Sequence, residues 1–255
     1  MLSDYVKCLA RVAGLELRRF GVASSPTAQM RAMLAAQRID TVFDVGANAG
    51  QFGWQLRRHV RFQGRIVSFE PMRAAYEQLQ RAAAGDALWD VAPRAAVGAE
   101  PGTATLNLAG NSVSSSILPM LESHASAVPE SRYAATESVP VVTLDSVADD
   151  YLAPQSRLLL KIDTQGYESQ VLQGGPRTLA RATGVQLELS LIPLYAGQKL
   201  MPELIACLQE EGFELWSLVP AFVEPVTGRT LQVDATFFRT GGPDSSTHRP
   251  AGSCG

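Results

Sequence analysis

The chain has 255 residues, 46% of them hydrophobic, which suits one sizeable domain with decorations and a substantial core. Its 22 basic and 25 acidic residues leave a formal net charge of −3, which argues against a protein that coats nucleic acid. Cys8, Cys207 and Cys254 are far apart and show no C-x-x-C spacing, so neither a disulfide framework nor a structural zinc site is expected, and a reducing cytoplasm is. No stretch is long and apolar enough to cross a bilayer, and charges from Asp4 to Arg19 interrupt the place where a signal peptide would have its apolar core.

Residues 1–39 read as an N-terminal helical extension. Apolar spacing predicts a first helix over about Ser3–Phe20, a break from Gly21 to Pro26, and a second helix capped by Ser25 or Thr27 that runs to about Arg38. These helices are read as a packing layer or a contact in a homo-oligomer.

The chain is organised around the next stretch. Thr41–Val45 is a short run of β-branched and aromatic residues, which predicts a buried strand. Gly46 and Gly50 break it, and helical character resumes at Phe52. Strand, glycine turn and helix open a nucleotide-binding βαβ unit. A dinucleotide fingerprint requires G-x-G-x-x-G, but Asn48 stands where its second glycine belongs; a phosphate-binding G-x-x-x-x-G-K-[ST] loop requires a lysine that does not follow Gly50. A dehydrogenase is discounted on that ground, and a ligand with an adenosine but no phosphate, S-adenosylmethionine (SAM), is left. The next apolar run, Gly64–Phe69, ends in Glu70 and Pro71. An acid at the end of the second strand, about twenty residues past the turn, is placed to accept hydrogen bonds from ribose hydroxyls.

An alanine-rich helix is expected over Ala74–Ala84, then a third short strand from Trp89 to about Gly98, and an alternating antiparallel edge strand over Gly102–Leu108. Residues 110–138, with the serine cluster Ser114–Ser116 and with His124, read as a lid or acceptor loop. Strand character returns at Val139–Leu144. Arg157–Asp163 is a continuous apolar run and predicts a buried parallel strand ending in Asp163. Gly184–Ser190 is another strand, carrying Glu188. A helix over Met201–Glu211 precedes two final strands, Phe213–Val219 and Asp234–Arg239. Residues 241–255 are rich in Gly, Pro and Ser and are expected to be a disordered tail.

Phe43-Asp44-Val45-Gly46-Ala47-Asn48-Ala49-Gly50, Phe69-Glu70-Pro71, Ser114–Ser116, Val142-Thr143-Leu144-Asp145, Leu160-Lys161-Ile162-Asp163 with Gly166 and Glu168, and Asp234-Ala235-Thr236-Phe237-Phe238 resemble, in this order, the FkbM family of SAM-dependent O-methyltransferases. One departure is Gln165, which stands where the family usually has an acid. The resemblance implies an α/β, Rossmann-like class I methyltransferase fold over residues 40–240: a seven-stranded, mostly parallel sheet with a C-terminal antiparallel hairpin. It also implies methyl transfer to a hydroxyl, often of a sugar or polyketide.

On this reading Gly46 and Gly50 let the turn pass under SAM, Asp44 lies near its amino group, and Asn48, Gln51 and Phe52 line the turn. Glu70 holds the ribose beside Pro71, Met72 packs on the adenine, and Ala96 and Val97 border its edge. Because SAM carries the reactive methyl, the protein has to align one oxygen and manage one proton. Asp163 is the first candidate base, Glu188 is its neighbour, and the two together could hold a Mg²⁺ through oxygen ligands. His124 is the other candidate base. The expected acceptor is a small molecule or oligosaccharide, with no nucleic acid. A polyketide or small-phenol methyltransferase and a non-catalytic SAM-binding module are the rival readings; 7% aromatic content leans towards a polar acceptor.

Overall fold

The computed structural model describes residues 2–17 and 19–241; the expected tail lies outside the described residues except for Gly241. Seven strands form one sheet: β1 (Thr41–Val45), β2 (Arg65–Phe69), β3 (Trp89–Val91), β7 (Leu158–Ile162), β8 (Ala182–Ser190), β9 (Phe213–Val223) and β10 (Thr230–Arg239). Their order is β3-β2-β1-β7-β8-β10-β9. All neighbours are parallel except β8–β10 and β10–β9, which are antiparallel and make the C-terminal hairpin. Every residue of β1 and of β7 is buried, as the apolar runs require of strands covered on both faces.

Chain order reverses between β1 and β7. In open α/β sheets a crevice opens outside the carboxyl ends of the strands at that point. The two faces of the sheet are built differently. On one, Phe43, Val67, Leu160, Val185 and Phe237 join a continuous apolar core with the helices α6 (Leu144–Val147), α7 (Glu168–Gln173), α8 (Pro176–Arg181) and α9 (Met201–Glu210). On the other, Val42, Ile66, Leu159 and Phe238 pack with residues of α2 (Pro26–Ala36) and α4 (Arg73–Ala83).

Two residues further along, that second face turns polar. Ser68, Asp44, Lys161, Gln186, Thr236 and Ser217 pair in register from strand to strand and form one buried polar row across six strands. Side chains two apart on a strand share a face, so the next row, at the carboxyl ends, brings Glu70, Asp163, Glu188 and Asp234 to the same side.

The structure differs from the sequence-based reading in three places. The first helix, α1, spans Leu2–Val12 and stops before Gly14, which takes φ 73°, rather than running on to Phe20. The expected third strand is two: β3 in the main sheet, and β4 (Ala96–Val97) in a separate three-stranded sheet ordered β4-β6-β5, the chain bending between them at Arg94. In that second sheet β5 (Gly102–Ala109) is the antiparallel edge strand that its alternation predicts. Residues 110–138 are not one loop. They contain α5 (Glu122–Ala127) and the first half of β6 (Tyr133–Val142). Tyr133–Ser138 carries no apolar run because this half of β6 is mostly solvent-facing; what holds it as a strand is backbone pairing with β5.

Candidate active site

A cavity of about 510 Å³ opens at the carboxyl ends of β1, β2, β7 and β8 and the amino end of the antiparallel β10. One half is built by the glycine turn. Gly46 takes φ 80°, and a Cβ there would stand 1.8 Å from the carbonyl oxygen of Asp163. The glycine is therefore demanded by the crossing of two chain segments, in addition to any ligand. Asn48, at φ 47°, is also left-handed, and its side-chain oxygen accepts from the Ala49 N–H at 2.7 Å. The turn passes into α3 (Gln51–Gln55), which continues as a π-helical turn over Leu56–Val60.

Glu70 ties this turn to β2. Its Oε2 accepts from the Asn48 N–H at 2.7 Å and its Oε1 from the Met72 N–H at 2.8 Å. Burial pushes its carboxyl up to about 7, with those two N–H bonds opposing the push. Each oxygen keeps a further lone pair for a ligand. Gly46, Asn48, Gln51, Phe52, Glu70, Pro71, Met72, Ala96 and Val97 all line the cavity.

Asp44 and Gly50 do not. Gly50 faces Leu79, Ala82 and Trp89. Asp44 is fully buried under the floor, with Oδ1 2.9 Å from Lys161 Nζ. Burial raises the Asp44 carboxyl and the lysine opposes that rise. For Lys161 burial acts against the charge, but Asp44 and Asp163 outweigh it and hold the ammonium above the usual lysine range. The same Nζ lies 3.4 Å from Asp163 Oδ2 and 5.4 Å from the Phe52 ring centre, so the lysine links the floor to both halves of the cavity.

The other half is a wall of carboxylates and amides. Gln165, left-handed at φ 55°, donates from Nε2 to Asp163 Oδ1 at 2.9 Å and to Glu188 Oε2 at 2.7 Å. Tyr195 Oη donates to Gln165 Oε1 at 2.8 Å and thereby orients the amide. Gln232 Nε2 donates to the same Glu188 oxygen at 2.7 Å. Burial, then the Asp163 charge, raises the Glu188 carboxyl well above the ordinary range. The turn carrying Gln165 is held by Glu168, whose Oε1 accepts from the N–H groups of Thr164 and Gly166 at 2.9 and 3.1 Å.

This arrangement does not fit a Mg²⁺ between Asp163 and Glu188. An amide donor stands where the shared cation would have to be, which is the consequence of having Gln165 in place of an acid. Among the described residues no group of three His, Cys, Asp or Glu is arranged to hold a metal.

His124 reaches the cavity but is 2% exposed, edge-on to Tyr195, and burial lowers its imidazole to about 4. A ring that binds a proton so weakly is a poor base near neutrality. The serine cluster forms the roof: Ser116 Oγ donates to the Gln165 carbonyl at 2.7 Å, and Tyr195 Oη also lies 3.2 Å from the Ser114 carbonyl.

Sequence reading missed Gln186, Gln232 and Asp234, all of which line the cavity. Their signal was present. Lys161/Asp163, Gln186/Glu188/Ser190 and Gln232/Asp234/Thr236 are polar residues at period two inside otherwise apolar strands.

No curated protein sequence matches the chain significantly. Among solved structures, the chain is similar to the methyltransferase FkbM from Methylobacillus flagellatus, at 13% identity and a TM-score of 0.48, with 78% of this chain and 44% of that one covered. It thus spans under half the length of that protein. It is also similar to the magnesium protoporphyrin IX methyltransferase from Synechocystis, solved with bound SAM, at 10% identity, a TM-score of 0.44 and coverages of 84% and 78%. A third is the fibrillarin pre-rRNA processing protein of Methanococcus jannaschii, at 9% identity, a TM-score of 0.44 and coverages of 81% and 69%. The sequence profile of the methyltransferase FkbM domain matches residues 44–215, the span that builds the glycine turn, the acid after β2 and the Asp163–Glu188 wall. The chain belongs to the FkbM methyltransferase family.

Proposed function

We propose that the protein is a SAM-dependent O-methyltransferase acting on a hydroxyl of a sugar, polysaccharide or glycosylated metabolite. The observation that carries this reading is the division of one cavity into two chemically unlike halves that meet at Lys161 and Asp163. The turn half offers a carboxylate, Glu70, beside an apolar slot of Met72, Ala96 and Val97. That set suits a ribose diol next to a flat ring. The far half offers carboxylates and amides, which suit an acceptor rich in hydroxyls.

When bound, SAM supplies an activated methyl group. The chain's own residues would do the rest. Glu70 would accept from the ribose, Met72, Ala96 and Val97 would line the base, and Lys161 keeps Asp44 and Asp163 in place. Asp163 lies at the junction of the halves, where an acceptor oxygen has to be aligned. No step is assigned to a metal, because the Gln165 amide occupies the carboxylate pair.

The test is a calorimetric titration of the purified chain with S-adenosylhomocysteine (SAH), followed by transfer of labelled methyl from SAM to a panel of glycosides with and without EDTA. Binding of SAH and EDTA-insensitive labelling of a glycoside are expected. Binding of NADH in place of SAH would overturn the reading.

A further inference from the structure

Of the carboxylates around the cavity, all but one are engaged. Glu70 and Glu168 accept from backbone N–H groups, Asp44 is paired with Lys161, Asp163 receives Gln165 and faces Lys161, and Glu188 receives two amides. Asp234 is the exception. It is half-buried, lines the cavity and stands directly opposite Glu188 in the β8–β10 pair, yet no described residue donates a hydrogen bond to it. In the row beneath, Gln186 is 5% exposed, also lines the cavity, and its side-chain oxygen has no partner among the described residues. The Gln165 and Gln232 amides and the Lys161 ammonium are spent on other carboxylates. Apart from the Gln186 amide nitrogen, what the wall leaves open are acceptors, so a group that docks there has to bring donor hydrogens.

We propose that Asp234 is a catalytic residue, the base that holds the acceptor's hydroxyl and takes its proton, with Gln186 binding a neighbouring hydroxyl of the same polyol. The inference rests on the methyltransferase reading above. In the step, the acceptor O–H bond breaks and the proton ends on the Asp234 carboxylate. The oxygen's electron pair forms the new bond to the methyl carbon, and the pair of the broken carbon–sulfur bond stays with the departing thioether. The surroundings suit that role. Burial, then the Asp163 charge, raises the Asp234 carboxyl to about 6 while Lys161 opposes. Glu188 faces it from β8, with Glu168 behind. At pH 7 Asp234 is thus mostly ionised but holds a proton far better than a free aspartate, which favours proton transfer near neutrality.

The test uses the full chain. SAH calorimetry comes first: wild type, Asp234→Asn and Asp234→Ala should bind SAH within about twofold of one another. Failure of the wild type to bind would overturn the methyltransferase reading itself. Failure of the variants alone would make Asp234 structural and overturn only this inference. The SAH-loaded proteins are then titrated with a panel of methyl hexopyranosides. Wild type should bind at least one, Asp234→Ala should bind it about tenfold more weakly, and Asp234→Asn, which keeps an acceptor oxygen, should bind it nearly as well. Single-turnover methyl transfer to that glycoside should fall by about a hundredfold or more in Asp234→Asn. The wild-type rate should rise through about pH 6, and the Asp234→Asn rate should lack that rise. Binding of no glycoside by the SAH-loaded wild type, or transfer by Asp234→Asn within threefold of wild type, would overturn the proposal.

Discussion

Glu70 shows how one side chain carries two duties. Its oxygens hold the Asn48 and Met72 N–H groups, so it fixes the turn on which a nucleoside would lie, and it also lines the cavity. Glu70→Ala should therefore weaken SAH binding by roughly 0.5–1.5 kcal/mol for each ligand hydrogen bond lost and should also lower the melting temperature. Unchanged affinity by calorimetry would remove Glu70 from the ligand site. Glu168 has only the structural duty. Burial raises its carboxyl from 4.5 to about 7, against the backbone N–H bonds that it accepts. The folded chain then holds this proton more tightly than the unfolded chain, so the contribution is fully present below pH 4.5 and is lost as pH rises through 7. It amounts to ~3 kcal/mol at most. His124 works the other way, because its lowered value favours the fold as pH rises from 4 to 6.5. Glu168→Gln should flatten the fall in stability between pH 5 and pH 8, measured by urea denaturation at both. An unchanged slope would assign that fall to other groups.

At the scale of elements, the strands act as rulers. Because β1, β7, β8 and β10 are in register, Asp44, Lys161, Gln186 and Thr236 meet as neighbours although they are remote in sequence. Lys161 is the centre of that row. The glycine turn depends on the same register, since the Asp163 N–H donates to the Val45 carbonyl at 3.0 Å and places the Asp163 carbonyl against Gly46. Gly46→Ala combines a left-handed backbone with a collision against main chain, neither of which a side chain can relieve. It should cost more than about 2 kcal/mol and abolish SAH binding. Wild-type stability by urea denaturation would show that β1 and β7 can separate at that point without penalty. The alternating polar residues of β8 and β10 illustrate what was legible and overlooked. Gln186, Glu188 and Ser190 are evenly spaced in the sequence, but only pairing with β10 shows that Glu188 faces Asp234.

At the scale of the whole molecule, two apolar cores on opposite faces of one sheet hold a crevice open at the strand ends. No helix among the described residues is long and apolar enough to cross a membrane. A ligand that fills the crevice binds the folded chain and has little to bind in the unfolded one. SAH at about a hundred times its dissociation constant should add ~2.7 kcal/mol to stability, a rise of roughly 5–10 °C in melting temperature for a domain of this size. A thermal-shift measurement without that rise would show that the crevice is not its site.

The sequence by itself determined the parts that act over a few residues. The buried strand, the glycine turn and the acid after β2 follow from local apolar runs, left-handed positions and strand ends, and the order of these motifs carried the family and the seven-stranded sheet. The tertiary structure decided which polar groups meet. The acid Asp44, near the end of a buried strand, proved to be floor rather than wall because Lys161 lies beside it on the next strand. The Mg²⁺ that Asp163 and Glu188 could have held gives way to the Gln165 amide, and the last six residues of the loop expected over 110–138 are strand because β5 pairs with them. Asp234 stood out only once its neighbours' partners were known. Backbone preferences are set by adjacent residues and can be read along the chain, whereas a hydrogen bond across strands depends on register, which exists only after the sheet has formed.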